Sequence, residues 1–245
     1  MKFRISKLTN NSIEESLTVD GIRRTYYLYV PKIYTPKKSV PLLIVLHGGG
    51  GTGKDMEYKT TLRGFDKLAD KENFIVVYPD AVENHWNDGR NDPYSYSAQH
   101  NIDDVKFISS LIDHLCRKYN INNNRVYVTG MSNGGMMTFR LGCELSNKIV
   151  AIATVAASMP ENMYNNCKPV TNLSVLIIHG TDDPIVPWNG GHVYVFGKDR
   201  GCVVSINQTV MFWATHNNCV LQTNITYLPD ADPNDGTRVC GKRST

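Results

Sequence analysis

A serine flanked by glycines is the residue of this chain best suited to act as a nucleophile. Ser132 lies in Gly130-Met-Ser-Asn-Gly134, which matches the pattern G-x-S-x-G. The apolar run Arg125–Thr129 predicts a strand directly before it, and a helical pattern follows it. A serine in this context lies on a sharp, strained strand-to-helix turn, and glycines on both sides relieve the crowding. The alternative is an ordinary turn in which Ser132 caps the helix.

A glycine-rich loop follows an earlier apolar run, and it could be a plain flexible turn or have one of two functional interpretations. The segment His47-Gly-Gly-Gly-Gly-Thr-Gly-Lys54 resembles loops that donate a backbone N–H to an oxyanion hole. The N–H of Asn133, directly after the serine, would then be the second donor. The same letters nearly match the phosphate-binding pattern G-x-x-x-x-G-K-[ST]. Position 55 is Asp, however, which lacks the hydroxyl that ligates magnesium and would repel phosphate.

An aspartate in a third loop could complete a catalytic triad. Val175–Ile178 predicts a strand, and His179-Gly-Thr-Asp-Asp183-Pro follows it. An acid just past a strand and after the nucleophile fits the order Ser…Asp…His of hydrolases with a parallel sheet. We choose Asp183 over Asp182 because it precedes the rigid Pro184, where the loop must turn. The alternative is a plain Asp-Pro turn.

The elements that must position these residues alternate between strand and helix. Strands are predicted at 23–30, 41–46, 74–78, 125–129, 149–156, 174–178 and 224–228, and helices at 56–71, 105–119, from 133 to about 145, and 206–215. This alternation predicts an α/β fold with a mostly parallel sheet and helices on both faces. No repeat or linker divides the chain, so we expect a single domain over 1–245.

Composition excludes several classes of protein. The chain has 245 residues, 41% of them hydrophobic and 20% charged, with a net charge of +3, as in an ordinary globular protein. No basic run suggests a nucleic acid partner, and no apolar stretch is long enough to span a membrane. The six cysteines lack zinc-ligand spacing, so no metal is expected, and disulfides are favoured. The N-terminus shows no signal peptide, which fits a cytosolic protein or one whose leader is absent here.

Taken together, these motifs resemble the polyhydroxybutyrate-depolymerase/feruloyl-esterase group of α/β-hydrolases, over about 21–238. The matching segments are His47–Gly51, Trp86–Arg90, Asp103–Ile108, Arg125–Met137, His179–Gly191, Thr209–Trp213, Asn218-Cys219 and Asp235–Arg238. The resemblance implies that Ser132 is the nucleophile, that Asp183 is the triad acid, and that Gly49 and Asn133 supply the oxyanion N–H groups. It places Trp86 and Trp188 near the substrate and pairs Cys143 with Cys167 in a disulfide.

The resemblance also implies an activity. It indicates a serine esterase that works through an acyl-enzyme and needs no cofactor. Its substrate would be a feruloyl or acetyl ester of a plant polysaccharide such as xylan, or polyhydroxybutyrate. It implies a monomer or weak dimer outside the cytoplasm or in the periplasm. The alternatives are a hydrolase-fold protein that binds such ligands without turning them over, and a P-loop-like nucleotide phosphatase.

The sequence departs from this group where the catalytic histidine is expected. Members carry it in a Gly-Gly-Gly-His-x-Trp-Pro-Gly-like segment after one further strand, and neither is recognisable here. We therefore expect a C-terminally truncated domain that lacks its last strand and has weak or no activity. His192 and His216 are the remaining candidates for the base. His216 falls in the last turn of a helix, where a histidine is favourable against the helix dipole.

Overall fold

A computed structural model describes residues 11–220, 225–230 and 232–244 of the chain. Seven strands form the central sheet: β1 (Ile13–Val19), β2 (Ile22–Tyr29), β3 (Val40–Leu46), β4 (Ile75–Pro79), β5 (Ile121–Met131), β6 (Ala151–Val155) and β7 (Ser174–Ile178). Their order across the sheet is β1-β2-β4-β3-β5-β6-β7. β2 is antiparallel to both its neighbours, and β3 to β7 are parallel. The mostly parallel sheet predicted from the alternating pattern is confirmed.

Helices connect the strands, and two antiparallel pairs lie outside the sheet. The helices are α1 (Gly53–Asp55), α2 (Gly64–Glu72), α3 (Tyr96–Gln99), α4 (Asp104–Lys118), α5 (Asn133–Glu144), α6 (Glu161–Tyr164) and α7 (Ile206–His216), with a π-helical turn at Met56–Thr60 and a 3-10 turn at Val82–Asn84. The outer pairs are β8 (Gly191–Val195) with β9 (Lys198–Val203), and β10 (Thr226–Tyr227) with β11 (Cys240–Gly241). The predicted strand 224–228 starts outside the described residues at Asn224.

Both faces of the sheet are covered, which explains the unbroken apolar run of β3. Leu42, Ile44 and Leu46 belong to a core cluster that also includes buried side chains of α4, α5 and α7. Val45 belongs to a second cluster, with Ala69 of α2. A strand between two helical layers has no polar face, so its sequence does not alternate. No helix in the described part of the chain has the length and apolarity needed to cross a membrane.

The single helix predicted over 56–71 is wrong. The chain breaks it at Leu62 and Arg63, which both have positive φ, at 50° and 57°. This turn brings the Arg63 Nε to 2.9 Å from a carboxylate oxygen of buried Asp66 and to 3.8 Å from buried Glu57. Burial, above all, raises the pKa of Glu57 to about 7. The break places the guanidinium between two buried acids, where it compensates their negative charge.

The predicted disulfide between Cys143 and Cys167 is confirmed, with the two Cα atoms 5.2 Å apart. It ties the end of α5 to the segment after α6. Cys116, Cys202, Cys219 and Cys240 carry free thiols. The helix that follows Ser132 is therefore covalently fixed at its far end.

The parallel strands bring the chemically interesting loops to one edge of the sheet. We call this the carboxyl edge, where β3 to β7 end. The Ser132 N–H donates to the Val155 carbonyl at 2.9 Å, and the Ala156 N–H donates to the Ile178 carbonyl at 2.9 Å. These bonds link the ends of β5, β6 and β7. The backbones at Ser132 and His179 are thus separated by two strand spacings, about 10 Å. Ligands of open α/β sheets bind at this edge.

Candidate active site

Ser132 lies at a strained turn between β5 and α5. Its φ is 53° and its ψ is −121°, a region that residues other than glycine rarely adopt. The residue is half-exposed, and its hydroxyl has no hydrogen-bond partner among the described residues. It therefore does not cap α5 in the ordinary way. The strained strand-to-helix turn expected from the sequence is confirmed.

The glycines around Ser132 are required by close contacts with backbone. A Cβ added to Gly130 would lie 2.3 Å from the Gly134 carbonyl oxygen. One added to Gly134 would lie 2.4 Å from the His47 carbonyl oxygen, and one on Gly135 would meet the Ala157 Cβ at 2.6 Å. Side chains at these positions would force strand ends apart. The glycines thus allow the start of α5 to pack closely against the ends of β3 and β6.

The glycine loop after β3 lies directly against Ser132 and Asn133. A Cβ built on Gly48 would be 3.7 Å from the Ser132 Cβ, and one on Gly49 would be 3.6 Å from the Asn133 Cβ. No described group accepts a hydrogen bond from the backbone N–H of Gly49 or of Asn133. Two unpaired donors therefore lie beside a serine hydroxyl that also has no partner. Unpaired backbone donors beside a nucleophile are what an oxyanion hole requires.

The phosphate-binding interpretation of the same loop does not agree with its hydrogen bonds. The Gly50 N–H donates to the Asn84 carbonyl at 2.8 Å, and the Gly51 N–H donates to the Gly48 carbonyl at 3.1 Å. The Gly53 N–H donates to an Asp80 carboxylate oxygen at 2.7 Å. A phosphate cradle needs several loop N–H groups that point at the ligand. Here the protein itself uses three of them.

His47 is a structural histidine with a fixed tautomer. Its Nε2 accepts the Ala81 N–H at 3.0 Å, so its Nδ1 carries the proton and donates to the Gly48 carbonyl at 2.8 Å. The side chain is fully buried, and this burial lowers its pKa. The imidazole is thus neutral and has no free nitrogen. It anchors the glycine loop to the end of β4 and cannot also serve Ser132 as a base.

The two tryptophans named from the sequence have different surroundings. Trp86 is only 1% exposed, and its indole N–H donates to the His47 carbonyl at 2.9 Å. Its ring therefore has no free face for a sugar or aryl group, which argues against the substrate contact expected for it. Trp188 is half-buried, with its ring 6.1 Å from that of His179. Trp188 keeps part of its surface exposed at the carboxyl edge.

Asp183 lies in the loop after β7 and is held by its own turn. One carboxylate oxygen accepts the N–H groups of Ile185 and Val186, both at 2.9 Å. The other lies 3.9 Å from the Nε2 of His179, which contacts the Val186 carbonyl at 2.8 Å. The structure therefore contains the Asp-Pro turn that the sequence offered as the alternative for Asp183. It leaves one carboxylate oxygen without a hydrogen bond from the described residues.

The histidines proposed as fallback bases are engaged elsewhere. The His192 Nδ1 lies 2.7 Å from an Asp199 carboxylate oxygen across the β8–β9 hairpin. His216 ends α7, and its Nε2 contacts the Thr171 carbonyl at 3.2 Å. Thr171 precedes β7, so His216 lies at the edge of the sheet opposite to Ser132. The topology alone separates this imidazole from the serine by the length of a strand.

His85, which is not among the candidate bases predicted from the sequence, lies against the glycine loop. A Cβ on Gly49 would be only 2.9 Å from the His85 Nε2. His85 follows two non-glycine residues with positive φ, Glu83 at 47° and Asn84 at 59°. The Asn84 carbonyl is the group that accepts the Gly50 N–H. No periodicity signals this proximity, because it arises from the strained turn after β4.

Buried polar side chains near the site were also missed from the sequence. Asn133 is 5% exposed, and its Nδ2 donates to an Asp88 carboxylate oxygen at 2.6 Å. Asp88 in turn forms an ion pair with Arg90 at 2.8 Å, and both are buried. The segment Trp86–Arg90 matches a motif of the esterase group, but the sequence assigns no role to its charged residues. Their burial could not be inferred from their type, since such residues are usually exposed.

Comparison with known proteins places the chain among esterases. Residues 31–195 match the model of the phospholipase/carboxylesterase family. A bifunctional acetylxylan esterase/xylanase of Neocallimastix patriciarum is 31% identical over 166 residues, which are 68% of this chain and 22% of that protein. Feruloyl esterase B of Piromyces equi is 29% identical over 195 residues, 77% of this chain and 34% of that protein.

Further comparisons agree with the fold. A putative esterase of Nocardia uniformis subsp. tsuyamanensis is 30% identical over 71% of this chain and 49% of its own length. The chain thus spans about a fifth to a half of these relatives. The structure of a thermostable esterase superposes with a TM-score of 0.62 at 20% identity, over 86% of this chain and 53% of that one. The predicted α/β-hydrolase fold is confirmed.

Proposed function

Because the chain belongs to the phospholipase/carboxylesterase family, we propose that it is a serine carboxylic-ester hydrolase. In this proposal the Ser132 Oγ attacks the ester carbonyl carbon and the alcohol leaves. Water then attacks the acyl-enzyme, which releases the acid and restores the hydroxyl. The N–H groups of Gly49 and Asn133 stabilise the negative charge on the carbonyl oxygen in both steps. Asp183 is the proposed triad acid.

One observation carries the proposal. The strained, half-exposed Ser132 has a hydroxyl without a partner, directly beside two unpaired backbone donors. Strain of this kind costs about 1–3 kcal/mol and persists only where the surrounding structure enforces it. An ordinary helix cap would instead bond the hydroxyl to a backbone N–H of its own helix. The geometry thus favours a nucleophile over a structural serine.

Acylation of Ser132 tests the proposal directly. We expect p-nitrophenyl acetate to add the mass of one acetyl group to the peptide that contains Ser132, with release of p-nitrophenolate. In Ser132→Ala both signals should be lost, because no oxygen nucleophile remains at the turn. Intact-mass and peptide mass spectrometry measure the label. Equal labelling of the variant would refute Ser132 as the nucleophile.

We propose that the natural substrate is a short acyl or aryl ester of a plant polysaccharide. Two relatives are named as acetylxylan and feruloyl esterases. The segment 81–101, which lies beside the site, is polar and aromatic and offers no apolar lid for a long acyl chain. Half-buried Trp188 keeps part of an aromatic surface exposed for a ring. A polyhydroxybutyrate substrate remains the alternative.

An ester panel tests this substrate class. We expect acetate, butyrate and ferulate esters to be hydrolysed faster than a palmitate ester, because no described lid would shelter a long chain from water. The measurement is kcat/KM for each ester under one set of conditions. Soluble oligomers of hydroxybutyrate belong in the same panel. Faster turnover of the palmitate ester would contradict the proposed class.

We expect slow turnover by this chain, because His47, His192 and His216 contact other groups and no described histidine is hydrogen-bonded to the Ser132 hydroxyl. Without a base, Ser132 keeps the high pKa of an alcohol, and catalysis rests on binding and the oxyanion hole, about 10³–10⁴-fold over water. We expect His216→Ala to leave the rate of p-nitrophenyl acetate hydrolysis unchanged. An ordinary kcat of about 10 s⁻¹ that this substitution abolishes would show that His216 is the base. Ligand binding without any turnover is the alternative function, and observing it would contradict the proposed hydrolase activity.

We further propose that the protein works in an oxidising compartment, outside the cytoplasm or in the periplasm. The disulfide between Cys143 and Cys167 supports this, since such bonds persist in secreted proteins and are rare in the cytosol. It is proposed to act as a monomer or weak dimer. No cofactor enters the proposed reaction.

A further inference from the structure

The Asn133 side chain binds the backbone of Trp86, in the segment after β4, much as a neighbouring strand would. The Asn133 Oδ1 accepts the Trp86 backbone N–H at 2.9 Å, and its Nδ2 donates to the Trp86 carbonyl at 3.0 Å. One amide side chain thus satisfies both backbone groups of Trp86. Such a pair fixes position and direction together, as a single hydrogen bond does not.

A charged group holds this pair from the other side. The same Nδ2 donates to Asp88 at 2.6 Å, and Asp88 also accepts the Arg90 backbone N–H at 3.0 Å. Both side chains are buried, so these bonds are shielded from water. The Asn133 side chain therefore has one permitted orientation. Its backbone N–H, the proposed oxyanion donor, is attached to that fixed side chain.

The indole of Trp86 reaches the other half of the proposed oxyanion hole. Its N–H donates to the His47 carbonyl at 2.9 Å, two residues before Gly49. The two rings are 5.0 Å apart, and His47 is itself held by the Ala81 N–H. Trp86 thus contacts Asn133 through its backbone and the glycine loop through its side chain. It bridges the elements that carry the two donors.

We propose that Trp86 is a positioning residue that sets the separation of the N–H groups of Gly49 and Asn133. It does so without contact with the substrate, which agrees with its complete burial. The inference rests on the proposed function for its catalytic consequence. The claim that Trp86 fixes the position of the glycine loop rests only on the hydrogen bonds, and it does not depend on the proposed function.

The test replaces only the indole. Trp86→Phe keeps an aromatic ring in the core but removes the donor to His47. Trp213→Phe is the matched control, because Trp213 is also buried, at 2% exposure, yet its Nε1 has no partner among the described residues. Trp213 packs on the far half of α5, where a Cβ on Gly142 would lie 3.2 Å from its ring. Both variants lose similar packing, and only one loses the bridge.

Two readouts are measured on the full chain. Hydrogen exchange should become about 10-fold faster at the Gly50 and Gly51 amides in Trp86→Phe and stay unchanged there in Trp213→Phe. The kcat for p-nitrophenyl acetate should fall by at least about 10-fold in Trp86→Phe at an unchanged KM, since a misplacement of about 1 Å can cost 10²-fold. Trp213→Phe should keep the kcat of the parent chain.

The outcomes separate the inference from the proposed function. Unchanged exchange at Gly50 and Gly51 in Trp86→Phe would overturn the bridge, and equal losses of kcat in both variants would reduce Trp86 to a packing residue. If the parent chain hydrolyses no ester, the proposed function fails. Faster exchange confined to Trp86→Phe would still establish that Trp86 holds the loop.

Discussion

Replacing Arg24 with methionine should lower the free energy of unfolding by about 3–5 kcal/mol at neutral pH. Arg24 on β2 is 3% exposed, and its guanidinium donates to an Asp104 carboxylate oxygen at 2.6 Å. It also lies over the Phe107 ring, 3.9 Å from its centroid. Methionine keeps most of the volume but leaves the fully buried Asp104 without its counter-charge. The large loss comes from that uncompensated charge.

The loss should depend on pH in a defined direction. Burial raises the pKa of Asp104, and Arg24 opposes the rise, so the pKa will be higher still in the variant. A carboxyl whose pKa is higher in the folded than in the unfolded state destabilises the fold as pH rises. The difference between variant and parent should thus be smaller at about pH 5 than at about pH 8.

Urea unfolding at both pH values measures this effect. Arg23→Met is the matched control, because Arg23 neighbours Arg24 but is exposed, and among the described residues its side chain forms a hydrogen bond only with Ser16, at 3.1 Å. Its substitution should change stability by no more than about 0.5 kcal/mol. A pH-independent loss in Arg24→Met would show that packing, not charge, is responsible.

Replacing Gly134 with alanine should disrupt the candidate site itself. The added Cβ would lie 2.4 Å from the His47 carbonyl oxygen and 2.6 Å from that of Leu46. Both obstacles are backbone, so β3 and α5 must separate. We expect a loss of about 3 kcal/mol in the free energy of unfolding. Acylation of Ser132 should be lost as well, since the two proposed oxyanion donors, the N–H groups of Gly49 and Asn133, lie on the elements that move.

A second glycine supplies the control. Gly64 begins α2, and a Cβ there would meet no atom within 4 Å. Gly64→Ala should therefore be neutral or stabilise the protein by about 0.5 kcal/mol, and the labelling of Ser132 should not change. Denaturant unfolding and mass spectrometry are applied to both variants. A Gly134→Ala protein as stable and as reactive as the parent would contradict the described packing.

The sequence predicts the sheet well because its signals are local. The apolar run of β3 indicates a strand buried on both faces, and the glycines around Ser132 indicate a tightly packed turn. The β8–β9 hairpin was missed because its turn is Phe196-Gly197, with φ of 50° and 73°, where Asn-Gly is the usual signal. β1 was missed because its burial is slight, so its residues show little of the apolar pattern of a buried strand.

The sequence indicates the candidate site residues, but it does not indicate the contacts that support them. The types and order of Ser132 and Asp183 are visible in sequence, as is the glycine loop. The contact between Asn133 and Trp86 joins residues 47 positions apart, and no spacing rule connects them. Burial of Trp86 likewise depends on how the segment after β4 folds back over the glycine loop. Such features follow from the assembled fold and not from any one segment.

The positive φ of Ser132 has a consequence for how this chain can evolve. The conformation costs a residue with a side chain about 1–3 kcal/mol, whereas glycine adopts it freely. If no reaction required the hydroxyl, substitution of Ser132 by glycine would raise stability, and neutral drift would favour it. Keeping a serine at this turn therefore lowers stability unless its hydroxyl has a function. Under the proposed function, selection on chemistry and selection on stability act in opposite directions at this one position.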